Sequence, residues 1–244
     1  MIYKQYFSKI HELLNQVEEK EHENILKAAQ LIEKSIREDG VLHVFGCGHS
    51  QMYAMELFYR AGGLVPVNAI LPPALSLAPT APFSTFAERQ EGLAKVILDA
   101  ENIKPQDIML IVSTSGRNAV PIEMALEAKK RGLKVIALTS LEFSRSVSSR
   151  HKSNKKLYEL ADVVLDNHGV IGDAILEIPN VKSKFAPTSS VIGFAILQAI
   201  VSQVIELLSQ NGFEPPIYVS SNLDNGDKIN EKFIEKYRNR IKCL

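Results

Sequence analysis

The chain has 244 residues, of which 45% are hydrophobic and 23% are charged, and its 28 basic residues balance its 28 acidic ones. This length can bury a large core, and the composition is that of an ordinary globular protein. The zero net charge argues against nucleic acid as a partner, because nucleic-acid binding usually requires a basic surplus. Two cysteines and an N-terminus that is charged from Lys4 onward predict a cytoplasmic protein without a disulfide framework or a signal peptide.

The first predicted elements are helices. Apolar residues recur every three to four positions between residues 3 and 38, which predicts one or two amphipathic helices. After Gly40 the pattern changes to short β-rich runs that alternate with helical patterns, as in a parallel sheet built from βαβ units. The predicted strands cover residues 41–46, 64–71, 107–114, 134–140 and 162–167. The predicted helices between them cover residues 51–61, 86–101, 119–131 and 155–161.

The order of the strands follows from one proline. Pro66 lies inside the second predicted strand, and proline is tolerated at the edge of a sheet because it cannot donate a backbone hydrogen bond. A doubly wound order of 2-1-3-4-5 puts the second strand at an edge. The sequence therefore predicts an α/β fold, a five-stranded parallel sheet flanked by helices. An apolar helix at residues 189–209 and a polar helix at residues 228–241 follow, and polar residues within 191–205 predict that the apolar helix does not span a membrane.

Two polar loops follow the first and third predicted strands. They are GCGHS at residues 46–50 and STSGRN at residues 113–118, and they flank the point where the strand order reverses. Glycines allow close approach of the backbone, hydroxyls donate hydrogen bonds, and the start of the following helix favours an anion. The loops therefore predict a phosphate site, with helix capping by Ser115 or Asn118 as the alternative. Position 51 is Gln and not the third glycine of a dinucleotide fingerprint, so we expect no nicotinamide cofactor.

With these two loops, ALTS at 137–140, VVLDN at 163–167 and PTSSV at 187–191, the chain resembles the sugar isomerase (SIS) domain family over residues 40–210. AMELFYRAGG at 54–63 and two later segments resemble a bacterial group of SIS proteins that is related to phosphoheptose isomerases. The resemblance implies a phosphorylated sugar as ligand and a homodimer or a higher even oligomer. Together with the helices predicted outside this region, it divides the chain into an N-terminal helical arm at 1–39, a phosphosugar-binding domain at 40–212 and a C-terminal extension at 213–244 packed on it.

The resemblance also implies which residues hold the ligand. In SIS domains the serine-rich loop after the third strand holds the sugar phosphate. Carried over to this chain, the ligand-binding residues are Gly46, Gly48, Ser50, Ser113, Thr114, Ser115, Gly116, Asn118, Thr188 and Ser189.

Several glutamates are candidates for a catalytic base. Aldose–ketose isomerisation needs a base that moves a proton from carbon two to carbon one, and a carboxylate with a raised pKa suits this task. We expect Glu88, followed by Glu91, to begin the helix after the second strand, where related SIS enzymes place a catalytic glutamate. The alternative is that acidic residues merely favour a helix N-terminus. Glu56 is a third candidate, unless it forms an ordinary ion pair with Arg60.

Histidines are the remaining catalytic candidates. His49 lies on the first loop and could bind a sugar hydroxyl or open the sugar ring, whereas His43 fits a core position and His168 is a weaker candidate acid. Phosphoheptose isomerases carry a histidine and a glutamate six and ten residues after the first-loop serine, where this chain has Glu56 and Arg60. We therefore expect neither that reaction nor that metal site.

Two classes of function follow from these features. One is an enzyme that acts on a phosphosugar by isomerisation or, less readily, by elimination next to the carbonyl. The other is a phosphosugar sensor that regulates a partner protein. We expect neither a cofactor nor a nucleic-acid or membrane partner.

Overall fold

The structure, a computed structural model, describes residues 1–78 and 80–244. Pro79, which belongs to the stretch predicted as a loop between the second strand and the next helix, lies outside the described residues. The helices are α1 (Ile2–Lys20), α2 (His22–Arg37), α3 (Gln51–Leu57), α4 (Ala81–Ala87), α5 (Leu93–Asp99), α6 (Ala119–Lys130), α7 (Leu141–Ser146), α8 (Ser189–Gln210) and α9 (Gly226–Tyr237). The strands are β1 (Leu42–Gly46), β2 (Val67–Ile70), β3 (Ile108–Val112), β4 (Lys134–Thr139), β5 (Val163–Asp166), β6 (Ala174–Leu176) and β7 (Phe185–Pro187).

Strands β1 to β5 form one parallel sheet in the order β2-β1-β3-β4-β5, which confirms the predicted topology. Strand β2 is at an edge, and it starts at Val67, so Pro66 immediately precedes it. Because all five strands run the same way, the loops after β1 and β3 leave the sheet at the same edge. This topology places the two predicted ligand loops side by side.

Each face of the sheet is covered by its own layer of helices. Alternate residues of a strand point to opposite faces, so Val44 packs with α1, α2, α3 and α8, whereas Phe45 packs with α5 and α6. Burial of each Leu or Ile side chain in these two cores contributes about 1.5–3 kcal/mol. Because helices cover both faces of the sheet, the strands are nearly continuous in apolar residues.

Helix α8 covers 22 residues, and by length and composition it is the one helix among residues 1–78 and 80–244 that could cross a membrane. The helix extends beyond residues 191–205, the stretch whose polar residues predict that it does not span a membrane. Its buried face, which includes Ile192, Ile196, Ile200 and Val204, packs in the same core as α2. The apolar sequence of α8 is therefore explained by its position against the sheet.

Some predicted elements differ in the structure. The helix predicted at 86–101 is broken, because Gly92 has a φ of 90° and donates its N–H to the Glu123 carboxylate at 2.7–2.8 Å. The break leaves Glu88 at the C-terminal end of α4, so the prediction that it begins a helix was wrong. The helix predicted at 155–161 is reduced to the single turn Leu157–Glu159. Helix α7 and the antiparallel β6–β7 hairpin were not predicted.

The C-terminal segment packs at the edge of the sheet where the strands begin. Tyr237 and Ile241 join Val41 and Val65 in a third apolar cluster. At the same edge the Asp107 carboxylate accepts hydrogen bonds from the Val41 N–H at 2.9 Å and from Arg240 Nη2 at 2.8–2.9 Å. The segment therefore closes the end of the sheet opposite the ligand loops.

Candidate functional site

The first ligand loop is a tight turn that depends on glycine. Gly46 ends β1, and a Cβ at this position would lie 2.4 Å from the Ser50 carbonyl oxygen, so no larger residue fits without backbone movement. Gly48 has a φ of 57°, which glycine adopts without strain. His49 is exposed and Ser50 is half-buried, so both side chains can reach a ligand in solvent.

The second ligand loop is fixed by β4 and leaves hydroxyls available. The Thr114 carbonyl accepts hydrogen bonds from Thr139 Oγ1 and from the Ser140 N–H, both at 3.0 Å. Within the loop the Gly116 N–H donates to Ser113 Oγ at 3.2 Å. Across residues 1–78 and 80–244, the Thr114 and Ser115 hydroxyls have no hydrogen-bond partner in the protein. The backbone that carries the predicted phosphate donors is therefore held in place by hydrogen bonds from Thr139 and Ser140.

Asn118 links the second loop to the first catalytic candidate. Its Nδ2 donates to Glu88 Oε1 at 2.5 Å, and its Oδ1 accepts from Arg150 Nη1 at 3.0 Å. Asn118 occupies the N-cap position of α6, but its side chain makes no capping hydrogen bond to that helix. The structure thus brings Asn118 and Glu88 together, although 30 residues separate them.

Glu88 lies between the two loops. It is half-buried, and burial raises its pKa above the usual range even though Arg89 and Arg150 act in the opposite direction. Burial, followed by the Glu88 charge, raises the pKa of the Cys47 thiol in the first loop. A carboxylate with a raised pKa beside both loops has the property required of a general base near neutral pH.

The other two glutamate candidates are held by cations. Glu56 accepts hydrogen bonds from Arg60 Nη1 and from Gln198 Nε2, both at 3.0 Å, so it forms the ion pair that was the alternative reading of its spacing. Glu91 pairs with Lys152 Nζ at 2.9 Å, and the hydrogen bonds and charge of Lys152 lower its pKa. Glu56 is therefore engaged in an ion pair, and the lowered pKa of Glu91 reduces its basicity.

Thr188 and Ser189 are already engaged by a carboxylate. Asp173 Oδ1 accepts from the Thr188 N–H at 3.1 Å and from the Ser189 N–H at 2.9 Å, and Asp173 Oδ2 accepts from Ser189 Oγ at 2.5 Å. Asp173 therefore occupies the N-terminus of α8, as an anionic ligand would. The Tyr53 hydroxyl, from the helix after the first loop, donates to the Ser189 carbonyl at 2.7 Å. Thr188 and Ser189 therefore lie beside α3, but a ligand can bind them only if it displaces Asp173.

The remaining histidine predictions concern His43 and His168. His43 is fully buried and contacts Asp107 Oδ2 at 3.1 Å and Asn68 Nδ2 at 3.0 Å, which confirms a core position. His168 contacts Glu21 Oε1 at 3.1 Å, at the junction of α1 and α2. The structure places neither histidine in contact with a residue of the two ligand loops.

Glu91, Glu123 and His151 form the one group, within the described part of the chain, whose ligand atoms lie close enough together for a metal ion. However, His151 Nδ1 accepts the Ser153 N–H at 3.2 Å, so in the neutral ring Nε2 carries the proton. Nε2 lies 3.6 Å from Glu123 Oε1, and Lys152 already pairs with Glu91. These contacts fit an ion-pair network better than a metal site.

Arg150 and Asp173 were not predicted as site residues. Arg150 reaches Asn118 from a segment 32 residues away, and Asp173 reaches α8 because the β6–β7 hairpin returns the chain to it. Neither contact could be predicted from a periodic pattern in the sequence. The one available signal was Arg117, a basic neighbour of Asn118 within the STSGRN motif.

Comparisons with known proteins agree with this architecture. The family model described as a SIS domain matches residues 5–140, which is more than half of the chain. A UPF0309 protein of Geobacillus kaustophilus is 50% identical over 240 residues, which cover 98% of this chain and 96% of that protein.

Two solved structures share the fold. The phosphoheptose isomerase GmhA of Neisseria gonorrhoeae matches with a TM-score of 0.54 at 19% identity, covering 85% of this chain and 97% of that one. The Vibrio vulnificus NanR protein, solved in complex with ManNAc-6P, matches with a TM-score of 0.52 at 16% identity, covering 100% of this chain and 70% of that one. At these identities the likeness concerns the fold alone.

Proposed function

Because the chain belongs to the SIS domain family, we propose that it binds a phosphorylated sugar and acts on it as an aldose–ketose isomerase or a related enzyme. The observation that carries this proposal is the position of Glu88, a carboxylate with a raised pKa between two loops rich in hydrogen-bond donors. The complex of NanR with ManNAc-6P supports a phosphosugar as the ligand class. Elimination next to the sugar carbonyl is a less favoured use of the same base.

In the proposed reaction the second loop binds the phosphate through Ser113, Thr114 and Ser115, and Gly116 provides close approach of the backbone. The Glu88 carboxylate takes the proton from carbon two of the open-chain aldose and gives a proton to carbon one of the enediol. The hydroxyl proton on oxygen two moves to oxygen one in the same step, so the ketose has the composition of the aldose. His49 assists ring opening from the first loop, beside Gly46, Gly48 and Ser50.

The wider proposals concern the state of the protein. We propose a cytoplasmic homodimer or higher even oligomer that needs no cofactor and has no nucleic-acid or membrane partner. Residues 1–39 form a helical arm, 40–212 the phosphosugar-binding domain and 213–244 a packed extension. A specific observation favours a second function, because NanR, a protein solved in complex with ManNAc-6P, shares this fold over the whole chain. In that alternative the same site binds the sugar and signals to a partner protein.

Binding is tested by removal of two hydroxyls from the second loop. Ser113→Ala combined with Ser115→Ala should weaken phosphosugar binding at least about tenfold, because hydrogen bonds to a charged group contribute roughly 1.5–3 kcal/mol each. Calorimetry on a ligand found by a thermal-shift screen of sugar phosphates measures this loss. Ser209→Ala, at an exposed position of α8, is the control. Unchanged affinity of the folded double variant would exclude these two hydroxyls as phosphate donors.

Catalysis is tested at Glu88. Glu88→Gln keeps the oxygen that accepts from Asn118 but removes the basicity, so it should retain ligand binding and lose turnover by about 10²-fold or more. Exchange of the carbon-two proton with deuterated water is the assay, and Glu91→Gln is the matched control on the same segment. Full exchange by Glu88→Gln would exclude Glu88 as the base. Sugar binding without exchange or turnover in the parent protein would instead favour the sensor.

A further inference from the structure

Three arginines are gathered around the pair formed by Glu88 and Asn118. Arg89 follows Glu88 in the chain, and Arg117 precedes Asn118. Arg150 donates its backbone N–H to the Arg117 carbonyl at 2.7 Å and its Nη1 to Asn118 Oδ1 at 3.0 Å. The arginine cluster, Arg89, Arg117 and Arg150, therefore lies at the end of the second ligand loop.

These guanidinium groups have no carboxylate partner of their own. Among the described residues 1–78 and 80–244, no Asp or Glu carboxylate oxygen lies within 4.0 Å of a guanidinium nitrogen of the cluster. By contrast, Arg60 and Arg240 each pair with one carboxylate, and Arg131 pairs with two. Within the part of the chain that the structure describes, the Arg117 guanidinium donates only to neutral oxygens, the carbonyl and hydroxyl of Ser148, at 2.9 and 3.2 Å. The cluster therefore forms no direct ion pair within the described residues, and its three positive charges exceed the single negative charge of the nearby Glu88.

The cluster keeps its charges close enough to oppose one another. Burial, followed by the charges of Arg117 and Arg89, lowers the pKa of Arg150, and the Glu88 carboxylate only partly offsets them. An anion placed between the guanidinium groups would remove this repulsion. Arginine is suited to the task, because its planar group binds a carboxylate or phosphate through two parallel hydrogen bonds.

The phosphate of the sugar does not account for this cluster. In the proposed function the hydroxyls and backbone of residues 113–116 bind the sugar phosphate. The cluster lies beyond them, at Arg117 of the same loop and at Arg89 and Arg150 of two other segments. We propose that the ligand carries a second anionic group, a carboxylate or a second phosphate, which Arg117 and Arg150 bind. The substrate class is then an acidic phosphosugar. This inference rests on the proposed function, since it assumes that the loop binds a sugar phosphate.

The test compares ligands that differ in their number of anionic groups. Calorimetry on the whole protein would use glucose 6-phosphate, 6-phosphogluconate and fructose 1,6-bisphosphate, at fixed ionic strength. At least one of the two doubly anionic ligands should bind at least tenfold more tightly than glucose 6-phosphate, and which of them does so distinguishes a carboxylate site from a second phosphate site. Arg150→Gln and Arg117→Gln should each remove most of that advantage and leave the affinity for glucose 6-phosphate within about threefold.

Arg145→Gln is the matched control, because Arg145 lies on the same basic stretch but contacts Tyr158 rather than the cluster. It should keep the tenfold preference. Equal affinities for the three ligands in the parent protein, or an equal loss for all three in the arginine variants, would overturn the inference and leave the proposed function standing. If none of the three ligands nor any other sugar phosphate bound, both would fail.

Discussion

Glu88 shows how the environment of one side chain sets its chemistry. Its neighbour Arg89 and the nearby Arg150 both favour the ionised carboxylate, yet burial outweighs them and raises the pKa. Glu91, three residues later, is exposed and paired with Lys152, and its pKa is lowered instead. Two glutamates of the same short segment thus differ in basicity, because Glu88 is half-buried between the loops and Glu91 is exposed and paired with Lys152.

The raised pKa of Glu88 predicts a cost in stability at neutral pH. As the pH rises above the ordinary value for a glutamate, the unfolded chain releases its proton before folded Glu88 does, so the folded state loses stability until the pH passes the raised pKa. Glu88→Gln should therefore be more stable than the parent at pH 7 and gain little at pH 4. Urea unfolding at the two pH values measures the difference.

Glu91→Gln provides the opposite case. The lowered pKa of Glu91 stabilises the folded state above the ordinary glutamate pKa, and this contribution is lost as the pH falls through the lowered value. The variant should be no more stable than the parent at pH 7. If Glu88→Gln were destabilising at pH 7 and neutral at pH 4, the assignment of a raised pKa would be wrong.

Among helices and strands, those with a regular pattern of apolar residues are predicted best from the sequence. The β1, β3, β4 and β5 strands follow from their apolar runs, and the edge position of β2 follows from Pro66. The break between α4 and α5 could not be read from periodicity, because it depends on Gly92 and on a hydrogen bond to Glu123 from another helix. The two loops could be predicted as a site because each is a continuous polar motif directly after a strand. The Asp173 contact with α8 and the contact of Arg150 with Asn118 could not be predicted, because each depends on how the folded chain brings separate segments together.

The C-terminal segment provides a prediction at this scale. The Asp107 side chain is fully buried, and although burial raises its pKa, hydrogen bonds from His43 and the Lys104 N–H lower it overall. Arg240→Leu leaves this carboxylate with fewer partners and should reduce the free energy of unfolding by about 3 kcal/mol, the low end for a buried pair that loses one member. Denaturant unfolding measures the loss. Arg238→Leu, an exposed neighbour, should change stability by no more than about 0.5 kcal/mol, and equal effects of the two variants would contradict the role of the pair.

For the whole molecule, apolar residues remain exposed on the α1 and α8 side of the sheet. Phe7 is 58% exposed and Val191 is 44% exposed, and Met55 of α3 is 52% exposed. These three helices pack in one core on the same side of the sheet. A second copy of the chain would remove this apolar surface from water.

We therefore expect light scattering to find a homodimer or a higher even oligomer at micromolar concentration. Phe7→Lys combined with Val191→Lys should shift the equilibrium toward monomer, because each substitution places a charge where apolar contact is expected. Val96→Lys, on α5 at the opposite face, should leave the oligomer intact. A parent protein that stays monomeric in solution would contradict the prediction.

The packing of α2 against α8 has a consequence for synthesis. About 150 residues separate the end of α2 at Arg37 from the start of α8 at Ser189. At a translation rate of roughly 5–20 residues per second, the ribosome needs on the order of 8–30 seconds to cover that distance. Throughout this interval the apolar face of α2 lacks the helix that covers it in the finished protein, so the nascent chain presents a hydrophobic surface to which chaperones can bind.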